Sequence, residues 1–307
     1  MSEENWERAA IEKIALSSLQ EHKRARRWGI FFKSLAVIYL FALLFMAGDW
    51  FGAGNYSGPH TAIIDIKGEI GDGEAVNAED TVASLQSAFE NKNTKGIILR
   101  INSPGGSPVQ AGIINDEITR LRKLHPKVPI YAVVEDICAS GGYYIAVAAD
   151  KIYVDKASIV GSIGVLMDGF GFTGTMEKFG VERRLLTAGT NKAMLDPFSP
   201  VNPKHKAYAQ QMLNDIHQQF IDTVRQGRGE RLKETPEIFS GLFWTGEKSI
   251  ELGLADGLGS TDSVARDVIK EENLVDFTTH EGFADRVAKH FGASAVHALF
   301  GSTFKLH

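Results

Sequence analysis

Short apolar runs alternate with amphipathic stretches along residues 61–154 of the chain. Each apolar run predicts a buried strand, and each stretch with apolar residues three or four positions apart predicts a helix. The predicted strands are Ala62–Ile66, Gly96–Ile101, Pro129–Val134 and Lys151–Val154, and the predicted helices are Asp80–Phe89, Pro108–Leu124 and Gly142–Ala149. Strands that alternate with helices are typical of repeated βαβ units, so the pattern predicts an α/β fold with a parallel sheet.

Two further elements are predicted beyond this alternation. A short strand is expected at about Val181–Leu186, and a long amphipathic helix at Asn202–Arg225. The apolar face of that helix either packs between subunits or is buried within its own domain.

An almost wholly apolar segment runs from Trp28 to Phe51 and predicts one transmembrane helix. Several basic residues precede it, whereas residues 49–60 contain no Lys or Arg. By the positive-inside rule, residues 1–27 are expected to be a cytoplasmic arm, residues 28–51 a retained anchor, and the rest of the chain exported. A cleaved signal peptide and a buried helix of a soluble domain are the alternatives.

The remaining boundaries follow from the composition of each segment. Residues 52–60 are rich in glycine and small polar residues and are predicted to be a flexible linker. Residues 61–275 are expected to form the main globular domain. Residues 276–307 form a C-terminal tail that is either a docking helix or partly disordered.

Overall composition narrows the classes of function. The 307-residue chain carries a formal net charge of −5 at pH 7, which argues against nucleic acid as the main partner. Its single cysteine, Cys138, rules out an intrachain disulfide and a cysteine-rich metal site. The Cys138 thiol is either a candidate nucleophile or a small buried core side chain.

Two glycine-containing motifs each follow a predicted strand and precede a predicted helix. They are Ser103-Pro104-Gly105-Gly106 and Ala139-Ser140-Gly141-Gly142. Glycines at a strand-to-helix turn leave backbone N–H groups free, and a helix N-terminus adds partial positive charge. Such groups can form an oxyanion hole, and Ser140 lies where a nucleophile is needed beside it. The motifs therefore predict acyl transfer, with peptide hydrolysis as the favoured reaction. The adjacent Tyr143 and Tyr144 are expected to pack the helix rather than touch substrate.

A serine nucleophile needs a base, and histidine is a poor candidate here. Of the nine histidines, only His125 lies between the first glycine motif and the end of the predicted sheet, and it ends a helix beside Arg122 and Lys123. A lysine can act as base only when burial or nearby positive charge lowers its pKa from about 10.4 towards neutrality. Lys192 has small or apolar neighbours and is the favoured base, while an ordinary solvated loop lysine is the alternative.

Five motifs occur along the chain in the order Ile101–Gly106, Ala139–Ala146, Ile159–Val165, Gly189–Lys192 and Phe243–Gly259. In this order they resemble the signal peptide peptidase A family, also called protease IV. The resemblance extends over about residues 61–266, and the length is similar to that of the short, single-repeat bacterial type.

The resemblance implies a crotonase/Clp-like α/β fold and a Ser/Lys dyad, with residues 61–275 as the peptidase domain. Carried over residue by residue, Ser140 is the nucleophile and Lys192 the general base. The N–H of Gly141 and one N–H from the pair Gly105 and Gly106 are the oxyanion donors. The role of Ser162 has two interpretations: it hydrogen-bonds and orients the lysine, or it satisfies backbone groups at a bend. Neither a metal ion nor a cofactor is implied.

The resemblance also implies partners and a location. It implies signal peptides and other apolar peptides as substrates, and a homo-oligomeric ring in which serine and lysine can come from adjacent subunits. It further implies a single-pass protein of the cell inner membrane with a cytoplasmic N-terminus and a periplasmic peptidase domain. A crotonase-type acyl-CoA enzyme and a non-catalytic membrane-anchored scaffold are the alternative functions.

Overall fold

The computed structural model describes residues 13, 16, 22–24, 26–42 and 58–279 of a chain that divides into two compact units. The first unit comprises Met1–Gly54 and His280–His307, and within it residues 26–42 form a helix whose side chains are mostly exposed. Within the described ranges, no helix combines the length and the apolar character needed to cross a membrane. The predicted arm, anchor, linker and tail lie wholly or partly outside the described residues, and they stay predictions.

The second unit, Asn55–Thr279, contains an eight-stranded sheet and the helices that pack on it. Its strands are β1 (His60–Ile70), β2 (Thr94–Gly106), β3 (Ile130–Ala139), β4 (Lys151–Val154), β5 (Ile159–Gly161), β6 (Phe243–Thr245), β7 (Gly257–Leu258) and β8 (Leu274–Asp276). Its α-helices are α1 (Ala78–Glu90), α2 (Pro108–Leu124), α3 (Gly141–Ala146), α4 (Thr173–Lys178), α5 (Pro203–Arg228), α6 (Gly246–Glu251) and α7 (Thr261–Ser263). A 3₁₀ turn at Gly229–Arg231 follows α5, and a π-helical stretch at Val264–Ile269 continues α7.

The sheet is mixed but mostly parallel. Its strand order is β6-β5-β3-β2-β1-β8, and β4 pairs with the first half of β3 and with β7. Strands β5 and β6 are antiparallel, and the other pairings of the described sheet are parallel. The predicted α/β class is therefore confirmed. Because parallel strands end at the same edge of a sheet, β2, β3 and β5 finish close together, which brings the segments that follow them into contact.

The central strands are buried on both faces of the sheet. In β2, Ile97, Leu99 and Ile101 lie in the larger core, whereas Ile98 lies in a smaller cluster with Val264. Successive residues of a strand point to opposite faces, so a continuous apolar run is what a strand covered on both sides requires.

Side-chain caps mark where two of the helices begin. Asn77 accepts a hydrogen bond from the Asp80 N–H at the start of α1, and Ser107 accepts one from the Gln110 N–H at the start of α2. Pro108 occupies the first turn of α2, where a missing N–H costs nothing. The observed bounds of α2 are the predicted ones.

The predicted strand at Val181–Leu186 is wrong. The whole segment is exposed, with Leu186 at 97%, and it pairs with no strand of the described sheet. A segment becomes a strand only where a neighbouring strand can complete its backbone hydrogen bonds, and no described strand pairs with this one.

The first glycine motif is not a turn after a strand, as predicted, but the last part of β2 itself. Glu69 and Ile70 of β1 lie in register with Gly105 and Gly106, so β1 is long enough to pair with the motif. The strand is irregular here, with a register shift against β3 between Ile101 and Ser103. The strand continues because a distant segment supplies a partner, which overrides the poor strand propensity of glycine and proline.

A buried ion pair joins the end of α5 to the segment before β7. The Arg228 guanidinium, only 1% exposed, donates two hydrogen bonds to the Asp256 carboxylate at 2.8 and 2.9 Å and a third to the Gly253 carbonyl. Asp256 also accepts from the Ile152 N–H at 2.7 Å. Burial alone would raise the pKa of the Asp256 carboxyl, but its hydrogen bonds and the charge of Arg228 hold that pKa below its ordinary value.

We expect Asp256→Asn to lower the free energy of unfolding by roughly 3 kcal/mol, because it leaves the buried Arg228 guanidinium without a counter-charge. Urea denaturation of the full chain measures this change. Asp267→Asn makes the same chemical change in an exposed pair with Arg266 and should leave the urea midpoint unchanged. Because the pKa of Asp256 is lowered by folding, its contribution is present above the ordinary pKa and lost as the pH falls through the folded-state value. Equal midpoints for the two variants would contradict this account.

Candidate active site

Ser140 lies at a strained turn between the end of β3 and the start of α3. Its backbone angles, φ 50° and ψ −120°, are unfavourable for a residue with a side chain. Two hydrogen bonds hold the turn: the Ser140 N–H donates to the Gly161 carbonyl at 2.9 Å, and the Ser140 carbonyl accepts from the Tyr144 N–H at 2.9 Å. Strain held in this way by the surrounding structure is typical of functional positions.

The two glycine motifs are in direct contact. Pairing of β2 with β3 places Ser103 opposite Cys138, so both motifs lie at the same edge of the sheet. A Cβ atom added to Gly105 would lie 2.7 Å from both the Gly141 nitrogen and the Ser140 Cβ. Only a residue without a side chain allows this approach, and Gly105 also has a φ of 105°, in the region that favours glycine.

From the sequence, Gly105 and Gly106 are equally good candidates for the oxyanion donor. The hydrogen bond that the Gly105 N–H makes distinguishes them. The Gly105 N–H donates to the Ser103 hydroxyl oxygen at 3.2 Å, and that hydroxyl donates to the Gly68 carbonyl at 2.6 Å. The Ser107 N–H, two residues further along, donates to the Ile70 carbonyl on β1. Because successive N–H groups of an extended chain point to opposite sides, we expect the Gly106 N–H to point away from β1. The Gly106 nitrogen lies 3.3 Å from where a Gly141 Cβ would be.

Gly141 supplies a second N–H at the same place. It is the first residue of α3, and the first N–H groups of a helix have no acceptor within the helix. We therefore expect the Gly106 and Gly141 N–H groups to face the same point beside Ser140, which is the arrangement that an oxyanion hole requires.

A cavity of about 530 Å³ opens directly onto these groups. Ser140, Gly106, Gly141 and Ser162 line it, and Gly105 does not. Pro104, Pro108 and Tyr144, which lie within or beside the two glycine motifs, also line it. The other side chains of its walls come from segments farther along the chain: Val165, Leu166, Ile216, Gln219, Phe220 and Ser240. The rings of Tyr144 and Phe220 contact each other, with centroids 4.9 Å apart. None of the described residues that line the cavity carries a charged side chain.

Lys192 lies outside this cavity. It is exposed, in a series of turns in which its N–H donates to the Gly189 carbonyl at 3.1 Å. Among the described residues, no hydrogen bond or ion pair links the Lys192 Nζ to Ser140 of the same chain. The structure thus brings Ser140, Gly106, Gly141 and Ser162 together, and it leaves Lys192 apart from them.

Ser162 has the second strained backbone in the site, with a φ of 52°. Its N–H donates to the Leu242 carbonyl at 2.7 Å. Its hydroxyl makes no hydrogen bond with the described residues and lines the cavity with Ser140. The hydroxyl is therefore available to a group that enters the cavity.

Burial decides the roles of two side chains near Ser140, those of Cys138 and Tyr143. Cys138 is fully buried, and burial raises the pKa of its thiol, so it is a core residue and not a second nucleophile. Tyr143 is fully buried, and its hydroxyl donates to the Leu254 carbonyl at 2.8 Å, as expected for a residue that packs the helix. Tyr144 packs against the core and the Phe220 ring, and it also lines the cavity.

The chain is similar to several known proteins. The family model described as Peptidase family S49 matches residues 122–275. A Na⁺/H⁺ antiporter NhaA of Brucella abortus (strain 2308) is 46% identical over 186 residues, which cover 61% of this chain and 25% of that protein.

Two other relatives carry peptidase names. A protein of Enterococcus faecium, provisionally named signal peptide peptidase SppA, is 31% identical over 208 residues, which cover 68% of this chain and 60% of that protein. A provisionally named protease of Methanocaldococcus jannaschii is 32% identical over 222 residues, or 72% of this chain and 68% of that protein. The chain thus spans a quarter of the Brucella protein and three fifths of the Enterococcus protein.

Proposed function

The chain belongs to peptidase family S49, and on that basis we propose that it is a membrane-anchored serine endopeptidase with a crotonase/Clp-like fold. Its substrates are signal peptides and other apolar peptides released in or near the membrane. The observation that carries the proposal is the strained Ser140, which lines one cavity together with Gly106 and Gly141.

Catalysis then proceeds through an acyl-enzyme. A neutral Lys192 takes the Ser140 proton as Oγ attacks the scissile carbonyl, and the Gly106 and Gly141 N–H groups stabilise the tetrahedral oxyanion. The lysine ammonium returns the proton to the leaving amine, and the amine departs. Water then attacks the ester, with the lysine again acting as base.

A second copy of the chain supplies Lys192 in this proposal. The support is that Lys192 lies outside the cavity of its own chain, while its segment carries large apolar side chains on the surface. Leu166, Phe179 and Leu186 are 81%, 80% and 97% exposed. Exposed apolar side chains of this kind are what an interface between copies would cover. A repeated head-to-tail contact between copies closes a ring, and each contact then completes one site.

The peptidase domain acts outside the cytoplasm. The basic residues before the predicted anchor favour a single-pass protein of the inner membrane, with a cytoplasmic N-terminus and a periplasmic domain. The uncharged lining of the cavity suits apolar peptides of the kind that remain in the membrane after secretion.

Labelling with a fluorophosphonate tests the proposed chemistry, since this reagent forms a covalent bond with an activated serine hydroxyl. We expect one adduct per chain on the wild-type protein, located on Ser140 by peptide mass spectrometry, and no adduct on Ser140→Ala. Ser240→Ala is the matched control, because Ser240 also lines the cavity and its loss should leave labelling unchanged. An acyl-CoA enzyme without an activated serine, or a non-catalytic scaffold, would show no adduct on Ser140.

A further inference from the structure

The turn after β5 brings Ser162 to the cavity in a strained backbone conformation, with a φ of 52°. Two backbone hydrogen bonds hold the first part of this turn. The Gly161 carbonyl accepts from the Ser140 N–H at 2.9 Å, and the Ser162 N–H donates to the Leu242 carbonyl at 2.7 Å. Because a positive φ crowds the Cβ atom, a serine without such anchors relaxes towards negative φ. The direction of the Ser162 hydroxyl therefore depends on the contacts that hold the turn.

His217 on α5 supplies a third anchor. Its Nε2 atom lies 3.1 Å from the Ile163 carbonyl oxygen. Because a carbonyl can only accept, Nε2 must carry a hydrogen and donate it. Among the described side chains, His217 alone makes a hydrogen bond with residues 161–163. Ile163 is fully buried, so its carbonyl needs a partner inside the protein, and His217 provides one.

The helix that carries His217 also forms one wall of the cavity. Ile216 and Phe220, close to His217 in the sequence, line the cavity together with Ser162. Phe220 is buried, and its ring packs against that of Tyr144 with centroids 4.9 Å apart. His217 therefore reaches the strained turn from a helix that is packed against the domain. A group held on a packed helix fixes a site more precisely than a group on a loop does.

We propose that His217 is a positioning residue for the Ser162 hydroxyl and that it acts through the Ile163 carbonyl. The inference rests on the proposed peptidase function, in which Lys192 of a second copy enters the cavity as the base. A neutral lysine donates one N–H to the Ser162 oxygen and so turns its lone pair towards the Ser140 hydroxyl. When the turn relaxes, the Ser162 oxygen moves and the base is misplaced for proton transfer.

Two substitutions of His217 separate the hydrogen bond from the bulk of the ring. Glutamine places its amide NH₂ about as far from the backbone as Nε2, whereas asparagine carries the same amide one methylene shorter and does not reach the Ile163 carbonyl. For the full-length protein and a fluorogenic, signal-peptide-like substrate, we expect His217→Asn to lower kcat by roughly ten- to a hundredfold. KM should change by less than about threefold, because the misplaced base acts in the transition state. His217→Gln should recover most of the lost kcat, and equal kcat values in the two variants would overturn the proposal.

A Ser162→Ala background shows whether the effect of His217 passes through the Ser162 hydroxyl. Once that hydroxyl is absent, its position no longer matters, so adding His217→Asn should lower kcat by less than about threefold. If His217 only stabilised the fold, the two losses would be independent and would multiply in the double variant. A double variant whose kcat shows the product of the two single losses would therefore contradict the proposal.

Amide hydrogen exchange separates this inference from the proposed chemistry, because it needs no turnover. The Leu242 carbonyl protects the Ser162 N–H, so a loosened turn exposes this N–H to solvent. We expect His217→Asn to speed its exchange by about tenfold or more, His217→Gln to keep it near the wild-type rate, and the amides of β2 to be unchanged in both. Faster exchange at Ser162 in a protein that cleaves nothing would retain the anchoring by His217 and remove the proposed function. Peptide cleavage with unchanged exchange at Ser162 would remove this inference alone.

Discussion

Ser140→Ala and Lys192→Ala are each expected to lower the kcat/KM for peptide hydrolysis by a factor on the order of 10⁴. The first removes the nucleophile, and the second removes the base without which the hydroxyl remains protonated. Hydrolysis of a fluorogenic, signal-peptide-like substrate by the full-length protein measures both effects. Lys178→Ala is the matched control, because Lys178 is also an exposed lysine of the segment between β5 and α5 and should be dispensable.

A mixture of the two inactive variants tests where the lysine comes from. If each site takes serine from one copy and lysine from the next, an equal, fully exchanged mixture should recover about one quarter of the wild-type activity, because half the copies retain each residue. Subunit exchange can be checked by energy transfer between differently labelled copies. Exchange without recovery would contradict a base supplied by a second copy. Full activity in Lys192→Ala alone would exclude Lys192 as the base, and full activity in Ser140→Ala would exclude the whole mechanism.

Gly106→Ala is expected to lower kcat by about 10²- to 10³-fold, equivalent to roughly 3–4 kcal/mol of transition-state stabilisation. A Cβ atom at this position would overlap the Ile70 carbonyl, and the φ of 142° is strained for alanine. The end of β2 must then shift and carry the Gly106 N–H away from the oxyanion. Because this N–H acts mainly in the transition state, KM should change much less than kcat.

Gly112→Ala is the control for the glycine change itself. Gly112 lies within α2, and a Cβ atom added there has no other atom within 4 Å. Alanine is favourable in a helix interior, so this variant should keep full activity and be slightly more stable. Urea denaturation of both variants shows whether a loss of kcat comes from the missing N–H donor or from a loss of folded protein. Full kcat in a folded Gly106→Ala protein would remove Gly106 from the oxyanion hole.

Some features of the site were predictable because they depend on local sequence. The apolar run of β3 followed by glycines places Ser140 at the end of a strand, and the cap at Ser107 with Pro108 starts α2. The parallel arrangement follows from the alternation of strands and helices, and it brings the two glycine motifs to one edge. Each of these sequence patterns lies within a few residues of the structural feature that it predicts.

Other features were not predictable because they depend on segments far apart in the chain. The end of β2 is a strand and not a turn only because β1 extends to Ile70. The choice between Gly105 and Gly106 depends on the Ser103 hydroxyl, which is held by the Gly68 carbonyl. Tyr144, Gln219 and Phe220 line one cavity although about 75 residues separate the first from the others.

Local sequence signals are enough to predict the α/β class, the order of the central strands and helices, and the position of Ser140 between strand and helix. Periodicity, caps and glycines are local properties, and they act before any tertiary contact forms. Contacts between distant segments establish which glycines lie beside Ser140, which side chains line the cavity, and that Lys192 lies outside it. They also establish that Val181–Leu186 is not a strand. Each of these features depends on which segments, distant in sequence, are neighbours in the fold. A backbone N–H needs an acceptor and an apolar side chain needs a packing partner, and the fold supplies both from distant segments.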